Sequence, residues 1–240
     1  MRINKRIDAS LENQDNQNRL RKRKEASLPP QTKAEAQLIL DRIWDISPVL
    51  SLCCSISALT GLRYSDASWL RFDDFYDEYG NFRESFKLCQ QKTFRMRTGK
   101  KKSPMPEAEA YGKSLVTIYT NEEIESVVQE ARLLNPKGEY LFSNKRSAKV
   151  KNGNRIERPM SVVSADRHHA KVRKGLQLPY TLATHSWRKM FALLLLRNKV
   201  SIEQIRDSLG HSTIMSTDKY LHSFTTELKS NIQKISLQET

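Results

Sequence analysis

The sequence predicts an α+β fold that is mainly helical and contains a small sheet. Apolar residues recur at helical spacing in the region that begins at Thr32 and again from Thr184 onward, and this period is typical of helices that bury one face. Between these regions, residues 73–119 combine turn-forming residues with short apolar runs, which favours strands. A length of 240 residues is enough for one large domain with a core of its own.

The first 31 residues are predicted to form a tail ahead of that domain. Residues 12–18 are entirely polar, and residues 19–24 form the cationic block RLRKRK. Because no apolar face recurs before Pro29 and Pro30, we expect disorder or a loose helix there. The domain itself is therefore predicted to span residues 32–240.

Two helices are expected to open the domain. Thr32 and Glu35 have the spacing of a capping box, with Thr at the N-cap and Glu at the third helical position. The second helix, over residues 49–59, is apolar almost all round, which indicates a helix buried in the core. Either Ser65 or Asp66 is expected to cap the short helix that follows.

The middle of the chain is predicted to carry the strands. Residues 85–91 have strand character, and residues 115–119 (LVTIY) form the clearest strand in the sequence. Residues 95–103 hold five Lys or Arg and one Gly without a core-facing period, which predicts a polar loop. Thr120 is expected to cap a helix over residues 121–134.

The last third is predicted to be helical, after a long basic connection over residues 144–158. Helices are expected over residues 161–174 and again from Thr184. The tetrapeptide SIEQ at 201–204 is another capping box, and Gly210 is the expected C-cap of that helix. Its buried face is predicted to consist of Ile202, Ile205 and Leu209.

The charge of the chain favours an anionic polymer as its partner. Forty-one Lys and Arg against 27 Asp and Glu give a formal net charge of +14 at pH 7 and an isoelectric point near 9.7. Such a surplus raises the local concentration of polyanions whatever the fold. On charge alone, a merely basic protein without such a partner remains a fair competing interpretation.

No metal, cofactor or disulfide is expected. Cys53, Cys54 and Cys89 are odd in number and share no ligand spacing, and no acidic cluster is spaced for two magnesium ions. The N-terminus lacks the apolar region of a signal peptide. The most apolar stretch, residues 190–196, is too short to span a bilayer, so we expect a soluble cytoplasmic protein with no membrane partner.

Five side chains, in a fixed order, have the chemistry that metal-free phosphodiester cleavage needs. Arg63 lies in TGLRYSD, His185 and Arg188 lie in THSWR, His211 ends LGH, and Tyr220 follows nine residues later. Two guanidiniums can grip a phosphate, and a phenol can act as nucleophile. Taken singly, each has a structural explanation: a surface arginine, a core histidine packed on the neighbouring tryptophan, or one more core tyrosine.

This ordered set resembles the Arg, His-x-x-Arg, His, Tyr constellation of the tyrosine recombinases, also called the phage integrase family. The resemblance covers about residues 32–224 and implies the family's catalytic-domain fold, with a small antiparallel sheet. It also implies a covalent 3′-phosphotyrosine intermediate and a free 5′ hydroxyl. The implied roles are phosphate clamps for Arg63 and Arg188, a proton acceptor or site organiser for His185, a hydrogen-bond donor to the phosphate for His211, and the nucleophile for Tyr220.

The resemblance also implies a lysine on a β-hairpin that protonates the departing 5′ oxygen. Lys92 lies in a Lys-Thr pair like the one that many members of the family show. A long basic stretch separates it from the strand that begins at Leu115, which departs from the usual short hairpin. The alternatives therefore stay open, and they are Lys100, Lys101, Lys102 and Lys113.

Double-stranded DNA is the partner that the resemblance implies, bound by a homotetramer at paired sites and by a monomer or weak oligomer when free. An apolar stripe on a helix over about residues 224–237, formed by Phe224, Leu228, Ile232 and Ile235, is expected to dock on a neighbouring protomer or to fold back on its own domain. Contacts with the DNA backbone are expected from Arg19, Arg21, Lys22, Arg23, Lys24, Lys100, Lys101 and Lys102, although the tail block has the alternative of being a solvated charge run.

Two other functions compete with a recombinase that integrates or inverts DNA. One is a catalytically silent accessory or regulatory protein descended from a recombinase, whose signature would be loss of the tyrosine or of an arginine. The other is a relaxase like the type IB topoisomerases. Because 62 residues precede Arg63, we expect the separate helical core-binding domain of typical members to be missing.

Overall fold

The computed structural model describes residues 25–100, 102–144, 149–151 and 154–211, together with Thr213, Met215 and Thr217. Its helices and strands are α1 (Lys33–Trp44), α2 (Pro48–Thr60), α3 (Tyr64–Ala67), α4 (Phe72–Phe75), β1 (Ser85–Cys89), α5 (Gln91–Thr98), α6 (Glu107–Gly112), β2 (Leu115–Tyr119), α7 (Glu122–Leu134), β3 (Lys149–Lys151), β4 (Asn154–Ile156), α8 (Val162–Gly175), α9 (Thr184–Arg197) and α10 (Ile202–Leu209).

Helix α2 is the centre of the helical part, and it packs against α1, α7 and α9. Ser47 caps its start by accepting the N–H of Leu50, and Pro48 occupies the first helical position, where no backbone donor is needed. Eight of its thirteen residues are buried. The prediction of a core helix is therefore confirmed, because α2 is apolar on most of its surface and most of that surface is buried.

The N-terminal cap of α1 also ties the helix to the rest of the domain. Thr32 Oγ1 accepts the N–H of Glu35 at 3.0 Å, as the capping box predicts. The Glu35 carboxylate does not return to Thr32: it accepts the N–H of Gln31 and, at 2.9 Å, the hydroxyl of Tyr180. The predicted return hydrogen bond from Glu35 to Thr32 is thus replaced by a contact with Tyr180, which lies 145 positions further along the chain.

The small antiparallel sheet is confirmed. Strands β1 and β2 pair antiparallel, with Ser85 opposite Tyr119 and Cys89 opposite Leu115. Val116 and Ile118 of β2 are buried in the core, while Thr117 and Tyr119 are exposed, as the alternation of a half-buried strand requires. Strands β3 and β4 form a second antiparallel hairpin inside the basic connection, which sequence analysis did not separate.

The prediction that residues 73–119 are strands with a polar loop was wrong for most of that segment. Between β1 and β2 the chain forms α5 and α6, so Lys92 lies in the first turn of a helix and not on a hairpin. The physical reason is that α5 has no buried residue. A helix that buries no face leaves no helical period in the sequence, although Gln, Lys, Arg and Met are all good helix formers.

Three smaller predictions were displaced by one or a few residues. Arg63, not Ser65 or Asp66, is the N-cap of α3. Asn121, not Thr120, caps α7, and its side chain accepts the N–H of Ile124 at 2.9 Å. The capping box at 201–204 and the C-cap at Gly210 are confirmed, but Ile202 is 39 % exposed and does not belong to the buried face.

Residues 25–31, which sequence analysis assigns to the tail, lie along the domain. Leu28 donates its N–H to the carbonyl of Thr181 at 3.0 Å, and Lys189 Nζ donates to the carbonyl of Ser27 at 2.7 Å. Pro29 and Pro30 are buried. The last part of the predicted tail is thus anchored to the domain by backbone hydrogen bonds.

Several predicted features lie outside the described residues. These are the tail up to residue 24 with its cationic block, Lys101, Tyr220, and the C-terminal helix at about 224–237. Among the helices that the structure does describe, none has the length and apolar character needed to cross a membrane.

Gly61 is a position at which a side chain is expected to be costly. It ends α2 with φ of +70°, and a Cβ atom there would overlap the ring of Phe191. Gly61→Ala should lower the free energy of unfolding by roughly 2–4 kcal/mol, from the left-handed backbone and from overpacking together. Thermal unfolding measures the loss. The matched control is Gly112→Ala, where a Cβ meets no atom within 4 Å: an equal loss in both variants would contradict this explanation.

Candidate active site

Arg188 is the most deeply placed of the predicted site residues. It lies on α9 and its side chain is fully buried. Nη1 donates to the carbonyl of Gly61, and Nη2 donates to the carbonyl of Leu209 at 2.6 Å. A second contact joins Nη2 to His211 Nε2 at 3.1 Å. The guanidinium therefore connects the end of α2 with the end of α10.

Arg63 lies at the edge of the same site. Its backbone is extended, which turns the side chain away from the end of α2 before α3 begins. Nη1 donates to Gln90 Oε1 and lies 3.9 Å from Asp66 Oδ2, and its side chain is 18 % exposed. Part of this guanidinium is thus open to an incoming anion.

His211 follows the left-handed Gly210 that ends α10. A guanidinium can only donate hydrogen bonds, so Nε2 of His211 accepts from Arg188. Nδ1 must then carry the ring proton, which it donates to Thr217 Oγ1 at 3.0 Å. Burial, followed by the charges of Arg188 and Arg63, lowers the pKa of His211 to about 3. The ring is neutral, and its Nε2 is occupied as an acceptor.

His185 is the second neutral histidine of the site. Burial lowers the pKa of His185 to about 4, and the nearby charges of Arg188, Lys189, Arg63 and Lys92 add to the effect. A neutral imidazole can accept a proton, which agrees with the role that the sequence predicts for His185. The same charges show that several cations surround one small region, which makes it a site for an anion.

The histidine that packs against Trp187 is His169 and not His185. Trp187 Nε1 donates to His169 Nε2 at 2.8 Å, while His169 Nδ1 contacts the carbonyl of Ala165 at 2.8 Å. The core-histidine explanation that competes for His185 therefore applies to a different residue. This buried network lies next to Arg188 on α9 and fixes that helix against α8.

Of the candidate lysines that the structure describes, Lys92 is the one that lies near His185. It lies in the first turn of α5, and its charge is among those that lower the pKa of His185. Lys113 is at the far end of α6, where its Nζ pairs with Glu109 Oε1 at 2.6 Å. Lys100 and Lys102 lie beyond the end of α5 and are exposed.

Gln90 is a site residue that sequence reasoning missed. It is 1 % exposed and lies between β1 and α5. Its Oε1 accepts from Arg63, and its Nε2 donates to the carbonyl of Leu209 at 3.1 Å. Since Arg188 donates to the same carbonyl, Gln90 connects the two arginines through one oxygen atom. The signal that existed was its place just before the Lys-Thr pair at 92–93.

Asp66 is a second residue for which the sequence predicted no role in the site. Its Oδ1 accepts the backbone N–H of Gln91 at 3.1 Å, and Oδ2 faces Arg63. Burial raises the pKa of Asp66, while the hydrogen bond from Gln91 and the charge of Arg63 oppose that rise. The carboxylate holds the start of α5, and hence Lys92, next to Arg63.

The described residues contain no group of three or more His, Cys, Asp or Glu that could hold a metal ion. Arg63, Lys92, His185, Arg188 and His211 are brought together, and Tyr220 lies outside the described residues. The arrangement holds two guanidiniums, of which that of Arg188 is buried and that of Arg63 is partly open, together with the Lys92 side chain and a neutral imidazole.

Comparisons with known proteins bear on this arrangement. The model of the phage integrase family matches residues 32–227. No curated protein matches the sequence significantly. Among solved structures, the integrase of transposon Tn1549 in complex with a circular-intermediate DNA is 19 % identical, with a TM-score of 0.57 over 88 % of this chain and 68 % of that one.

Two further solved structures share the fold at similarly low identity. The XerA recombinase is 18 % identical with a TM-score of 0.59, and the match covers 90 % of this chain and 67 % of that one. A lambda integrase fragment bound as a dimer to a core site is 17 % identical with a TM-score of 0.55, over 84 % and 62 % of the two chains. With a family model that matches well over half of its residues, the chain belongs to the phage integrase family, the tyrosine-type site-specific DNA recombinases.

Proposed function

We propose that the protein cuts and rejoins DNA at specific sites through a covalent bond between Tyr220 and a 3′ phosphate. The observation that carries this proposal is the linkage of Arg63 and Arg188 through Gln90 and the Leu209 carbonyl. Two guanidiniums fixed relative to each other match the pair of non-bridging oxygens of one phosphodiester. Structures of the Tn1549 integrase and of lambda integrase contain DNA, which supports DNA as the partner here.

The proposed step balances without a cofactor. The Tyr220 oxygen attacks phosphorus and its proton passes to the neutral His185, while the bond from phosphorus to the 5′ oxygen breaks. Lys92 gives a proton to that oxygen as it departs, because an alkoxide is a poor leaving group. The 5′ hydroxyl of a partner strand reverses the step, so the phosphodiester energy is kept in the phosphotyrosine.

The position of Tyr220 in the sequence supports its role. Thr217 is fully buried, and its hydroxyl oxygen accepts a hydrogen bond from His211 Nδ1. Tyr220 follows it by three residues, a length of chain that spans at most about 11 Å. The nucleophile is therefore tethered to a residue that already contacts the site, and the catalytically silent alternative is not favoured, since both arginines and the tyrosine are present.

The assembly is part of the proposal. We place a homotetramer on two synapsed DNA sites, with a monomer or weak oligomer when DNA is absent. The helix at about residues 224–237 would dock between protomers, and the cationic block at 19–24 would contact DNA phosphates, together with Lys100, Lys101 and Lys102. Exposed cations of this kind add affinity without sequence preference. The protein would then act on chromosomal or mobile-element DNA in the cytoplasm.

A trapping experiment tests the proposed function. The substrate is a duplex enriched by the protein from a random-sequence pool, with a nick that lets the short 5′-hydroxyl fragment diffuse away after cleavage. The unaltered protein should accumulate a covalent adduct that survives denaturing electrophoresis, whereas Tyr220→Phe should bind the duplex but form none. Tyr180→Phe is the matched control. An adduct in the Tyr220 variant would overturn the assignment of the nucleophile.

Arg63 and Gln90 should act as a unit. Arg63→Ala is expected to slow adduct formation about a hundredfold or more, the loss typical of one transition-state donor. Gln90→Leu should slow it by roughly tenfold to a hundredfold, because a small displacement of Arg63 weakens its grip. Gel shifts should show little change in DNA affinity, and Gln129→Leu on the exposed face of α7 is the control. If the rate losses of Arg63→Ala and Gln90→Leu multiply fully in the double variant, the proposed action of Gln90 through Arg63 is contradicted.

The activity of a Lys92→Ala variant should be rescued by a better leaving group. A substrate with sulfur in place of the bridging 5′ oxygen leaves without a proton, so Lys92→Ala should cleave it at a rate near that of the unaltered protein. On ordinary DNA the same variant should be slow, by a factor of about a hundred or more. Lys113→Ala serves as the control, and rescue in that variant instead would move the role to Lys113.

The two neutral histidines should make the protein sensitive to acid. Their pKa values in the folded protein, about 4 for His185 and about 3 for His211, lie below the value near 6.5 of an unfolded chain. Between pH 6.5 and 4 both histidines become protonated in the unfolded chain but stay neutral in the folded protein. The free energy of unfolding therefore decreases as the pH falls. Unfolding midpoints of a His185→Gln, His211→Gln double variant should fall less steeply over that interval, although His169 still contributes. If the unfolding midpoint of the double variant depends on pH as steeply as that of the unaltered protein, the lowered pKa values of His185 and His211 are refuted.

A further inference from the structure

A cleft lies between helix α5 and the segment around α3, next to the proposed active site. We call it the α3–α5 cleft. It has a volume of about 510 Å³ and is lined by Ser65, Trp69, Gln91, Lys92, Arg95 and Met96. Lys92, Arg95 and Met96 are spaced by three and four residues, so they share one face of α5. That face is the wall of the cleft opposite Trp69.

The indole of Trp69 is held in a fixed orientation. It meets the ring of Tyr140 edge to face, with 5.5 Å between centroids and an angle of 84° between planes. Tyr140 is held in turn by the guanidinium of Arg71, 5.3 Å from its ring centroid. Trp69 nevertheless remains 45 % exposed. An aromatic surface of this size, fixed on one side and open on the other, is suited to stacking.

The width of the cleft is fixed by Asp66. Its Oδ1 accepts the N–H of Gln91 at 3.1 Å, and it lies between Ser65 and Trp69 in sequence. Both walls are therefore joined at one end by a buried hydrogen bond. The cleft is preformed, which spares a ligand the cost of ordering its walls.

The lining specifies an aromatic ligand that carries negative charge. Lys92 and Arg95 supply two cations, and no acidic side chain is among the lining residues. The Trp69 ring and the Met96 thioether supply an apolar, polarisable surface, and Met96 is 64 % exposed. An aromatic platform flanked by cations is the arrangement with which proteins hold an unstacked nucleotide.

We propose that the α3–α5 cleft receives the base of the nucleotide that bears the leaving 5′ oxygen. This inference rests on the proposed function, in which Lys92 protonates that oxygen. A proton donor must lie within hydrogen-bond reach of its acceptor, so the sugar of that nucleotide lies beside Lys92. Lys92 is also a wall of the cleft, and the attached base lies against Trp69. Trp69 replaces the stacking that this base loses at the cut.

The consequence concerns the order of events after cleavage. After cleavage, the 5′ end must not rejoin its original 3′ phosphate before it can move to the partner strand. It must also not diffuse away from the protein. A base held on Trp69 keeps the 5′ hydroxyl next to the general acid. The cleft thus acts on the leaving strand, while Arg63 and Arg188 act on the phosphate.

A mutant cycle between Trp69 and the DNA tests the inference. The probe is the nicked duplex of the trapping experiment, in three forms: intact, with an abasic residue at the nucleotide that bears the leaving oxygen, and with an abasic residue one position further along. Adduct formation is timed with the unaltered protein, Trp69→Ala, Trp69→Phe and the control Tyr79→Ala. Tyr79 is 82 % exposed and lies outside the cleft.

Loss of the base and loss of the indole should each slow the unaltered reaction by roughly fivefold to a hundredfold, the range for one base stacked on one aromatic ring. When Trp69→Ala is tested on the abasic duplex, the reaction should be no slower than with either change alone. Trp69→Phe should recover most of the rate on intact DNA, which shows that the fold tolerates the position. The second abasic position and Tyr79→Ala should behave like intact DNA and unaltered protein.

Two results would overturn the inference with the proposed function intact. In one, the two losses multiply, so the base and the indole act separately. In the other, Trp69→Ala forms adduct on intact DNA at the unaltered rate, so the cleft is not used. If the unaltered protein forms no adduct on intact DNA, the proposed function fails, and this inference fails with it.

Discussion

The buried guanidinium of Arg188 is the constraint on which the rest of the site depends. A charge without solvent must be surrounded by hydrogen-bond acceptors, and Arg188 donates to the carbonyls of Gly61 and Leu209 as well as to His211 Nε2. Both carbonyls stand at the C-terminal end of a helix, where carbonyls lack partners within the helix and the helix dipole is negative. Two helix ends thus contribute to stabilising the buried cation.

That arrangement explains why glycines stand at both helix ends. Gly61 and Gly210 have φ of +70° and +63°, a conformation that turns the chain sharply and leaves the last carbonyls free to face Arg188. Arg63 and His211 come one or two residues after these turns. Arg63 and His211 are therefore positioned by the same turns that hold Arg188, so a change at either helix end reaches all three side chains.

The fold was largely predictable from sequence wherever a segment buries a regular face. Helix α2, strand β2 and the capping box of α10 each carry a local signal, either an apolar pattern or a cap. The order Arg63, His185, Arg188, His211 was recognisable for the same reason, because short motifs fix the types and spacings of residues. These four residues meet in the described structure, and the role of Tyr220, the fifth position of the motif, remains a prediction.

The rest was not predictable because it is formed by contacts across long stretches of chain. Helix α5 buries none of its residues, so nothing in its pattern distinguishes it from a basic loop. Gln90 meets Leu209 from 119 positions away, and a buried glutamine has no local signature. Ser65 or Asp66 was expected to cap α3, but the Asp66 carboxylate accepts a backbone N–H from α5 instead. Local sequence indicates that a side chain is polar and does not indicate which distant group it will meet.

The electrostatics of the site imply that DNA binding and proton uptake are coupled. Arg188 and Arg63 lower the pKa of both His185 and His211, in addition to the effect of burial. A bound phosphodiester brings a negative charge to the same place and offsets the arginines, which raises the pKa of both rings. In the proposed reaction, His185 would therefore be a poorer base before DNA binds and a better one afterwards. Proton transfer from the proposed nucleophile, Tyr220, would become less unfavourable once a phosphate lies in the site. In that proposal, the cations that stabilise the transition state also keep His185 from accepting a proton until a phosphate is bound.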